Sequence, residues 1–246
     1  MHIGEPSSKV SIVVPTYNER ENVAPLYEAI REKLEGRWDY ELIFVDDNSP
    51  DGTATVIERL TAEDPRVQLL QRPGKLGLGS AVAAGFRLAL GGYWVMMDAD
   101  LSHDPRHLPV MLDMLAEADI VVGSRYVPGG GIDNWPRWRR FSSWLANIYG
   151  RAVVGLAVRD VTSGYAAFRR PALEPLLPGL DPKGFKLLLE VISKSNDASV
   201  KEVPIRFVDR LHGRSKFGLR EVETYLGRCW AYRRERRQRV TVQRPG

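Results

Sequence analysis

Short apolar runs alternate with helical patterns along the first half of the chain, and this alternation restricts the fold more than any other feature. The runs are rich in valine, isoleucine and leucine, which is typical of strands buried on both faces. Between them, apolar residues recur at helical spacing, as in Asn22 to Leu34. The pattern predicts an α/β fold with a doubly wound, mostly parallel sheet and helices on both faces. The predicted strands are Val10 to Val14, Leu42 to Val45, Val67 to Leu70, Tyr93 to Met97 and Ile120 to Val122.

Polar residues follow several of these strands directly. Pro15 begins one such segment, Asp46-Asp47 another and Asp98-Ala99-Asp100 a third, while Arg125 follows the last of the five runs. Because the carboxyl ends of parallel strands share one edge of an open sheet, and ligands bind at that edge, we expect these segments to meet there.

Asp98 and Asp100 are the strongest candidates for chemistry. Two carboxylates spaced i and i+2, with the hydroxyl of Ser102 nearby, offer hard oxygen ligands to Mg²⁺ or Mn²⁺, which also shares the phosphate oxygens of a substrate. The alternative is that both are solvated loop aspartates. His103 and His212 are interpreted as loop histidines outside the metal site.

Composition excludes several classes of protein. The single cysteine, Cys229, excludes an internal disulfide and a cysteine-based zinc site. Met1 to Lys9 has no apolar core of the kind that a signal peptide needs. The net charge is +4, but arginines crowd into the last twenty or so residues, so the body of the protein is closer to neutral. We expect no nucleic-acid partner. These features predict one domain over residues 1–219 and a basic helical extension over residues 220–246.

The second half of the chain is less regular. Val127 to Arg140 is rich in glycine and aromatic residues and is interpreted as a mobile loop. Helices are predicted over Phe141 to Val154, with Trp144, Leu145, Ile148 and Ala152 on one face, and over Gly184 to Ser195. Val203, Ile205 and Phe207 alternate as in a strand, and the basic loop Asp209 to Lys216 is suited to folding over an anion.

The ordered set of motifs resembles the inverting GT-A glycosyltransferases, and among these the dolichol- or polyprenol-phosphate mannosyltransferases. The resemblance covers roughly Val10 to Leu219, and it lies in the order and spacing of the set. The motifs are Pro15 to Glu19, Asp46 to Thr53, Asp98 to Asp100, Ser124 to Tyr126, Thr162 to Gly164 and Arg210 to Lys216.

The resemblance implies a GT-A fold, a GDP-mannose donor, Mg²⁺ or Mn²⁺ as cofactor and a polyprenyl monophosphate lipid as acceptor. It implies that the nucleoside is held by Pro15, Tyr17, Glu19, Val45 and Asp47. It places the metal on Asp98 and Asp100, with Ser102 near the third ligand position, where many relatives have glutamine, and Ala99 beside the donor. It assigns the contacts with the acceptor phosphate or the donor diphosphate to Arg125, Arg139, Ser143, Lys186, Arg210 and Lys216. Asp98, Asp100, Arg125, Arg210 and Lys216 would be the catalytic residues.

The chemistry of sugar transfer is consistent with these residue types. Cleavage of a sugar–diphosphate bond builds negative charge on the leaving group, which a metal ion and guanidinium groups stabilise. A phosphate acceptor is already largely dianionic near neutral pH, so it needs no strong general base. It needs positive charge to approach an anionic donor, and the planar fork of arginine suits phosphate.

Other functions remain open from the sequence. Transfer of glucose or another hexose is the first alternative. Val95 to Ser102 also fits the apolar run and Asp-x-Asp of haloacid-dehalogenase-like phosphatases, where the first aspartate is a nucleophile. A non-catalytic nucleotide-binding module is a third. Processive polysaccharide synthases typically carry Gln-x-x-Arg-Trp, and here Asn134 stands in place of the glutamine.

The residues of the C-terminal segment indicate the location of the protein in the cell. Leu219, Val222, Leu226, Cys229 and Trp230 form one apolar helical face, and five arginines follow between Arg233 and Arg239. Such a helix either packs on the body or lies on an anionic membrane surface. We expect a cytoplasmic protein that is peripheral at the inner face of the membrane. A separate protein that anchors it to the membrane is compatible with this expectation.

Overall fold

A computed structural model describes residues 9–181, 186–195, 197–208 and 219–242. In the last of these segments the side chains are described for residues 222–238. The strands are β1 (Val10–Thr16), β2 (Tyr40–Asp46), β3 (Val67–Gln71), β4 (Tyr93–Met96), β5 (Ile120–Ser124), β6 (Gly131–Asp133), β7 (Ala166–Arg169), β8 (Val200–Pro204) and β9 (Arg206–Val208). Seven of them form one sheet in the order β3-β2-β1-β4-β7-β5-β8.

Helices follow most of the strands. The α-helices are α1 (Arg20–Leu34), α2 (Thr53–Glu63), α3 (Leu78–Leu88), α4 (Leu108–Met114), α5 (Arg137–Val154), α6 (Arg170–Leu173), α7 (Leu187–Lys194) and α8 (Leu219–Val242). Two 3₁₀ segments, Pro105–His107 and Glu174–Gly179, precede α4 and follow α6. Asp104 caps the first of these, because its side chain accepts a hydrogen bond from the backbone N–H of Arg106.

The sheet is mostly parallel, which confirms the predicted fold class. Only β7 runs antiparallel, between β4 and β5. Pro15 pairs with Val45 and Thr16 with Asp46 at the ends of β1 and β2. The carboxyl ends of β1, β2 and β4 therefore lie at one edge, where the sequence predicts that the polar segments meet.

Two hydrophobic clusters cover the two faces of this sheet. The first contains buried residues of α1, α2 and α4, and the second contains residues of α3, α5, α7 and α8. In the second cluster, the fully buried ring of Trp94 stacks on Phe86 with ring centroids 5.2 Å apart. Burying a large apolar side chain contributes about 2 kcal/mol, so this pair helps to hold α3 against β4.

The interpretation of Val127 to Arg140 as a mobile loop is wrong. Gly131–Asp133 forms β6, which pairs in parallel with β9 in a separate two-stranded sheet, and α5 already begins at Arg137. Ile132 is buried. The strand has a partner more than 70 residues away (Gly131 with Arg206), and no local pattern identifies such a partner.

The apolar face predicted for the C-terminal helix is also wrong in part. Cys229 is buried together with Tyr225 and Tyr232, whereas Val222, Leu226 and Trp230 are exposed. The tyrosines pack inward because each has an apolar ring and a polar end, and the hydroxyl of Tyr225 donates a hydrogen bond to the carbonyl oxygen of Ala146 at 2.9 Å. The helix thus packs on α5 and α7 through a face that the sequence pattern did not identify.

Candidate active site

The segment after β4 brings two carboxylates to the edge of the sheet. Asp98 is partly exposed, while Asp100 is buried. Oδ1 of Asp100 accepts hydrogen bonds from the backbone N–H of Ser102 at 3.1 Å and from its hydroxyl at 2.5 Å. Leu101, between them, has φ of 59°, a conformation that a branched residue adopts only when its surroundings enforce it. The tight turn therefore fixes the direction of the Asp100 carboxylate.

His103 has a structural role beside Asp98. Its Nδ1 accepts a hydrogen bond from the backbone N–H of Asp98 at 3.1 Å, and its ring stacks on Tyr165. Burial lowers the pKa of His103, which favours the neutral ring that this contact requires. Gly164 lies against the same carboxylate, because a Cβ atom on it would come within 3.2 Å of Oδ2 of Asp98.

The donor set of this turn fits Mg²⁺ or Mn²⁺. Among the described residues, no three or more His, Cys, Asp or Glu side chains form a group that could hold a metal by themselves. Mg²⁺ is commonly held by one or two carboxylates and completes its shell with water and substrate phosphates, so a pair of carboxylates such as Asp98 and Asp100 fits this ion. The hydroxyl of Ser102 donates to Asp100, and its assignment as third ligand stays a prediction.

The loop after β2 contains two aspartates with different contacts. Asp46 braces the turn, since it accepts hydrogen bonds from Thr16 and from the backbone and hydroxyl of Ser49. Asp47 is held by Arg72, whose Nε donates to Oδ1 of Asp47 at 2.6 Å and whose Nη1 donates to the hydroxyl of Ser80 at 2.8 Å. Sequence reasoning missed Arg72, although it follows β3 at the same edge.

The remaining donor-site candidates lie around the ends of β1 and β2. Tyr17 is partly exposed, and Nζ of Lys75 lies 3.8 Å from the centre of its ring. Glu19 accepts a hydrogen bond from Nδ2 of Asn22 at 2.7 Å. Pro15 and Val45 are neighbours in the sheet. The five residues assigned to the nucleoside are thus gathered on adjacent strands and loops.

Arg125 is buried in an ion pair with Asp160. Its Nε donates to Oδ2 of Asp160 at 2.7 Å and its Nη2 donates to Oδ1 at 2.8 Å, while Nη2 also reaches the hydroxyl of Thr162 at 2.9 Å. Burial opposes ionisation of Asp160, but the charge and hydrogen bonds of Arg125 lower the pKa of its carboxyl group below the ordinary value. The pair is therefore charged and rigidly oriented.

Lys186 lies near the same pair. Burial, together with the positive charge of Arg125, lowers the pKa of Lys186 to about 8. Its charge interacts favourably with Asp160 and Asp98, so the lysine, the ion pair and the end of β4 share one region.

Aromatic side chains connect this region to α5. The guanidinium of Arg139 lies 3.9 Å from the ring centre of Trp135, and the hydroxyl of Tyr126 donates to the hydroxyl of Ser143 at 2.9 Å. Arg125 lies 5.4 Å from the ring centre of Tyr126 and 5.9 Å from that of Trp135. The structure thus brings Arg125, Arg139, Ser143 and Lys186 together. Arg210 and Lys216 lie outside the described residues.

Comparison with known proteins identifies the family. Residues 11–177 match the model of glycosyl transferase family 2. The chain belongs to glycosyl transferase family 2. It is a glycosyltransferase with the GT-A fold, and this decides against the phosphatase and the non-catalytic binding module.

Curated relatives of this glycosyltransferase act on lipid phosphates, according to their names. It is 42% identical over 220 residues to a polyprenol monophosphomannose synthase of Mycolicibacterium smegmatis, covering 86% of this chain and 82% of the relative. It is 40% identical over 214 residues to an undecaprenyl-phosphate mannosyltransferase of Micrococcus luteus, covering 85% and 87%. A dolichol-phosphate mannosyltransferase of Pyrococcus furiosus is 40% identical over 221 residues, covering 89% of this chain but 62% of the relative.

A solved structure agrees on the fold. Glucosyl-3-phosphoglycerate synthase of Mycobacterium tuberculosis, solved with Mn²⁺ and UDP, aligns with a TM-score of 0.67 and 18% sequence identity over 93% of this glycosyltransferase and 80% of that chain. At this identity the likeness concerns the GT-A fold alone.

Proposed function

We propose that this glycosyltransferase transfers mannose from GDP-mannose to a polyprenyl monophosphate, with inversion at the anomeric carbon. A phosphate oxygen of the acceptor forms a bond to C1 of mannose, the bond from C1 to the diphosphate oxygen breaks, and GDP leaves with the electron pair. The product is polyprenyl phosphate mannose. The names of the relatives support the acceptor and the sugar.

One observation carries the proposal: a pair of carboxylates shares a region with two cations, Arg125 and Lys186. Asp98 and Asp100 follow β4, and the charges of Arg125 and Lys186 both interact with Asp98. A divalent metal bound by the aspartates would stabilise the negative charge that develops on the diphosphate. Arg125 and Lys186, with Arg139 from α5, supply positive charge for the acceptor phosphate, so that two anionic reactants can approach each other.

The experiment uses purified protein, a panel of nucleotide sugars and a short polyprenyl phosphate, with and without Mn²⁺ or Mg²⁺. We expect turnover with GDP-mannose and its loss on chelation. Asp98→Asn and Asp100→Asn should each lower kcat by about 100-fold or more, because each removes a charge-stabilising contact of about 3 kcal/mol. Asp113→Asn, an exposed aspartate on α4, is the matched control. Preference for another nucleotide sugar would overturn the donor, and activity that survives chelation would overturn the metal.

We also propose that the protein works at a membrane surface, where its acceptor resides. No helix in the described ranges has the length and apolar character to cross a bilayer. The support for membrane association comes from α5, whose predicted apolar face is exposed, with Asn147, Gly150 and Val154 buried instead. The exposed apolar side chains on this helix are Trp138, Phe141, Trp144, Leu145 and Ile148.

The charge of α5 matches an anionic surface. Its 18 residues include four arginines and no aspartate or glutamate. A helix with aromatic and apolar residues on one side and arginines beside them is typical of segments that lie in the headgroup region of a bilayer. Ser143, which the family resemblance assigns to the acceptor phosphate or the donor diphosphate, lies on this same helix, so the membrane-facing element would also contact a substrate phosphate.

A further inference from the structure

We propose that a cavity beside α5 binds the phosphate headgroup of a bilayer phospholipid, separately from the acceptor. This inference rests on the proposed membrane association. The cavity has a volume of about 380 Å³ and is lined by Tyr126, Trp144, Asn147, Ile148, Arg151 and Arg159. It combines two guanidinium groups with an apolar wall that continues into the exposed face of α5.

The two arginines are available for an anion. Nη2 of Arg151 makes one long contact, 3.4 Å, with the carbonyl oxygen of Ala157, while its Nε is buried without a hydrogen-bond partner in the described part of the chain. Arg159 is exposed. Within the described ranges no carboxylate forms an ion pair with either guanidinium, in contrast to Arg125 with Asp160. Arginine's planar fork is well matched to phosphate oxygens.

The turn that presents Arg159 is firmly held. The carboxylate of Glu202 accepts hydrogen bonds from the backbone N–H groups of Arg159 at 2.8 Å and Asp160 at 3.0 Å. Asn147, at the inner wall, donates to the hydroxyl of Thr162 at 2.9 Å. The cavity is therefore built on fixed backbone, next to but outside the Arg125 ion pair.

The exposed apolar side chains beside the cavity favour a lipid over a soluble phosphate compound as its ligand. Trp144 and Ile148 line the cavity and are themselves exposed, 47% and 38%, on the face that we place against the bilayer. A phosphate held at Arg151 and Arg159 would have its acyl chains beside these two side chains, where burial of apolar surface adds to the ionic contact.

The test compares Arg151→Gln/Arg159→Gln with Arg59→Gln/Arg87→Gln, a control that removes the same charge from exposed positions on α2 and α3. Flotation with phosphatidylcholine vesicles, with and without phosphatidylglycerol, gives the affinity. Two basic groups near a lipid surface are worth about 1 kcal/mol each, so the first variant should lose roughly tenfold to thirtyfold in affinity for anionic vesicles. The control should lose less than about threefold, and equal loss in both variants would reduce the effect to net charge and overturn the site.

Two further measurements separate the occupant from its alternatives. Monomeric dihexanoyl-phosphatidylglycerol should bind the wild-type protein at least tenfold more tightly than inorganic phosphate does, and equal binding would indicate a site for free phosphate. In detergent without a bilayer, turnover of a short polyprenyl phosphate should be the same in the Arg151→Gln/Arg159→Gln variant and the wild type. A raised KM for that acceptor, with vesicle binding intact, would assign the cavity to the acceptor. If the wild type has no transferase activity, vesicle binding still tests the headgroup site.

Discussion

Arg125 and Asp160 form a buried bidentate ion pair. The distance from Nε to Oδ2 is 2.7 Å and the distance from Nη2 to Oδ1 is 2.8 Å. Oδ2 of Asp160 also accepts a hydrogen bond from the backbone N–H of Arg125 at 3.0 Å. Both hydrogen bonds from the side chain fix the plane of the guanidinium, and Nη1 has no hydrogen-bond partner among the residues that the structure describes. Asp160 therefore fixes the position of the Arg125 guanidinium.

We expect Asp160→Asn to destabilise the protein by about 3 kcal/mol or more, because it leaves the charge of Arg125 buried without a carboxylate. Asp133→Asn removes the partner of Arg206 in an exposed ion pair and should cost less than about 1 kcal/mol. Urea unfolding of both variants and the wild type measures the free energies. Equal losses would mean that the burial of the Arg125–Asp160 pair has no energetic consequence.

Gly164 leaves room for the carboxylate of Asp98. A Cβ atom at this position would come within 3.0 Å of Cε1 of His103 and 3.2 Å of Oδ2 of Asp98, so Gly164→Ala should shift the carboxylate by a few tenths of an ångström. Because catalysis depends on such positions, we expect kcat to fall about tenfold while the melting temperature changes little. Gly179→Ala is the control, since nothing lies within 4 Å of its added Cβ. Full activity of Gly164→Ala would mean that the position of the Asp98 carboxylate does not depend on the absence of a side chain at residue 164.

The sequence was sufficient to locate the strand ends that carry the site. The apolar runs that stop at Asp46-Asp47 and at Asp98 are local patterns. Their ends lie close together because the carboxyl ends of parallel strands share one edge of the sheet. The partners of these residues are not local. Arg72 lies 25 residues from Asp47, and Asp160 lies 35 from Arg125, and no spacing rule connects them.

Helical spacing also could not distinguish a buried apolar face from an exposed one. The pattern placed Trp144, Leu145 and Ile148 on one side of a helix, which is correct. Whether one face of a helix is buried or exposed depends on the elements that pack against it. Here α8 packs against the opposite side of α5 with Tyr225 and Cys229. The short strand β7 was missed because its four residues carry no alternation.

The exposed face of α5 leads to a prediction about membrane binding. Trp144→Ser/Leu145→Ser removes two exposed apolar side chains and should weaken binding to phosphatidylglycerol-containing vesicles about tenfold or more, since each buried side chain contributes more than about 1 kcal/mol. Leu88→Ser/Leu90→Ser removes exposed leucines elsewhere and should leave flotation unchanged. Equal flotation by all three proteins would show that α5 does not contact lipid.

Arg72 orients Asp47, which the family resemblance places at the nucleoside. Lysine in place of Arg72 keeps the charge but cannot contact Asp47 and Ser80 at once, so Asp47 should lose its fixed direction. We expect Arg72→Lys to raise KM for the nucleotide sugar about tenfold with kcat within about twofold, which is the signature of lost ground-state binding. Arg59→Lys serves as the control. A fall in kcat with unchanged KM would instead place the pair at the reacting atoms.

The last prediction concerns stability and pH at Asp64. Its carboxylate accepts hydrogen bonds from Arg66, at 2.7 Å from Nη2, and from the hydroxyl of Tyr27 at 2.9 Å. Chiefly through the hydrogen bonds from Arg66, the pKa of Asp64 falls from 3.8 to about 2. Since the pKa is lower in the folded state, the stabilisation is complete above about pH 5 and is lost as the pH falls through 4 toward 2.

The shift corresponds to about 2 kcal/mol at neutral pH, and about half of it should be lost at pH 3. Urea unfolding of the wild type and Asp64→Asn at pH 6 and pH 3 measures the difference, which should shrink at the lower pH. Asp113→Asn, which breaks an exposed ion pair with Arg37, should differ from the wild type by less than about 1 kcal/mol at pH 6. A difference for Asp64→Asn that is the same at both pH values would mean that Asp64 stabilises the fold through the shape of its hydrogen bonds and not through its charge.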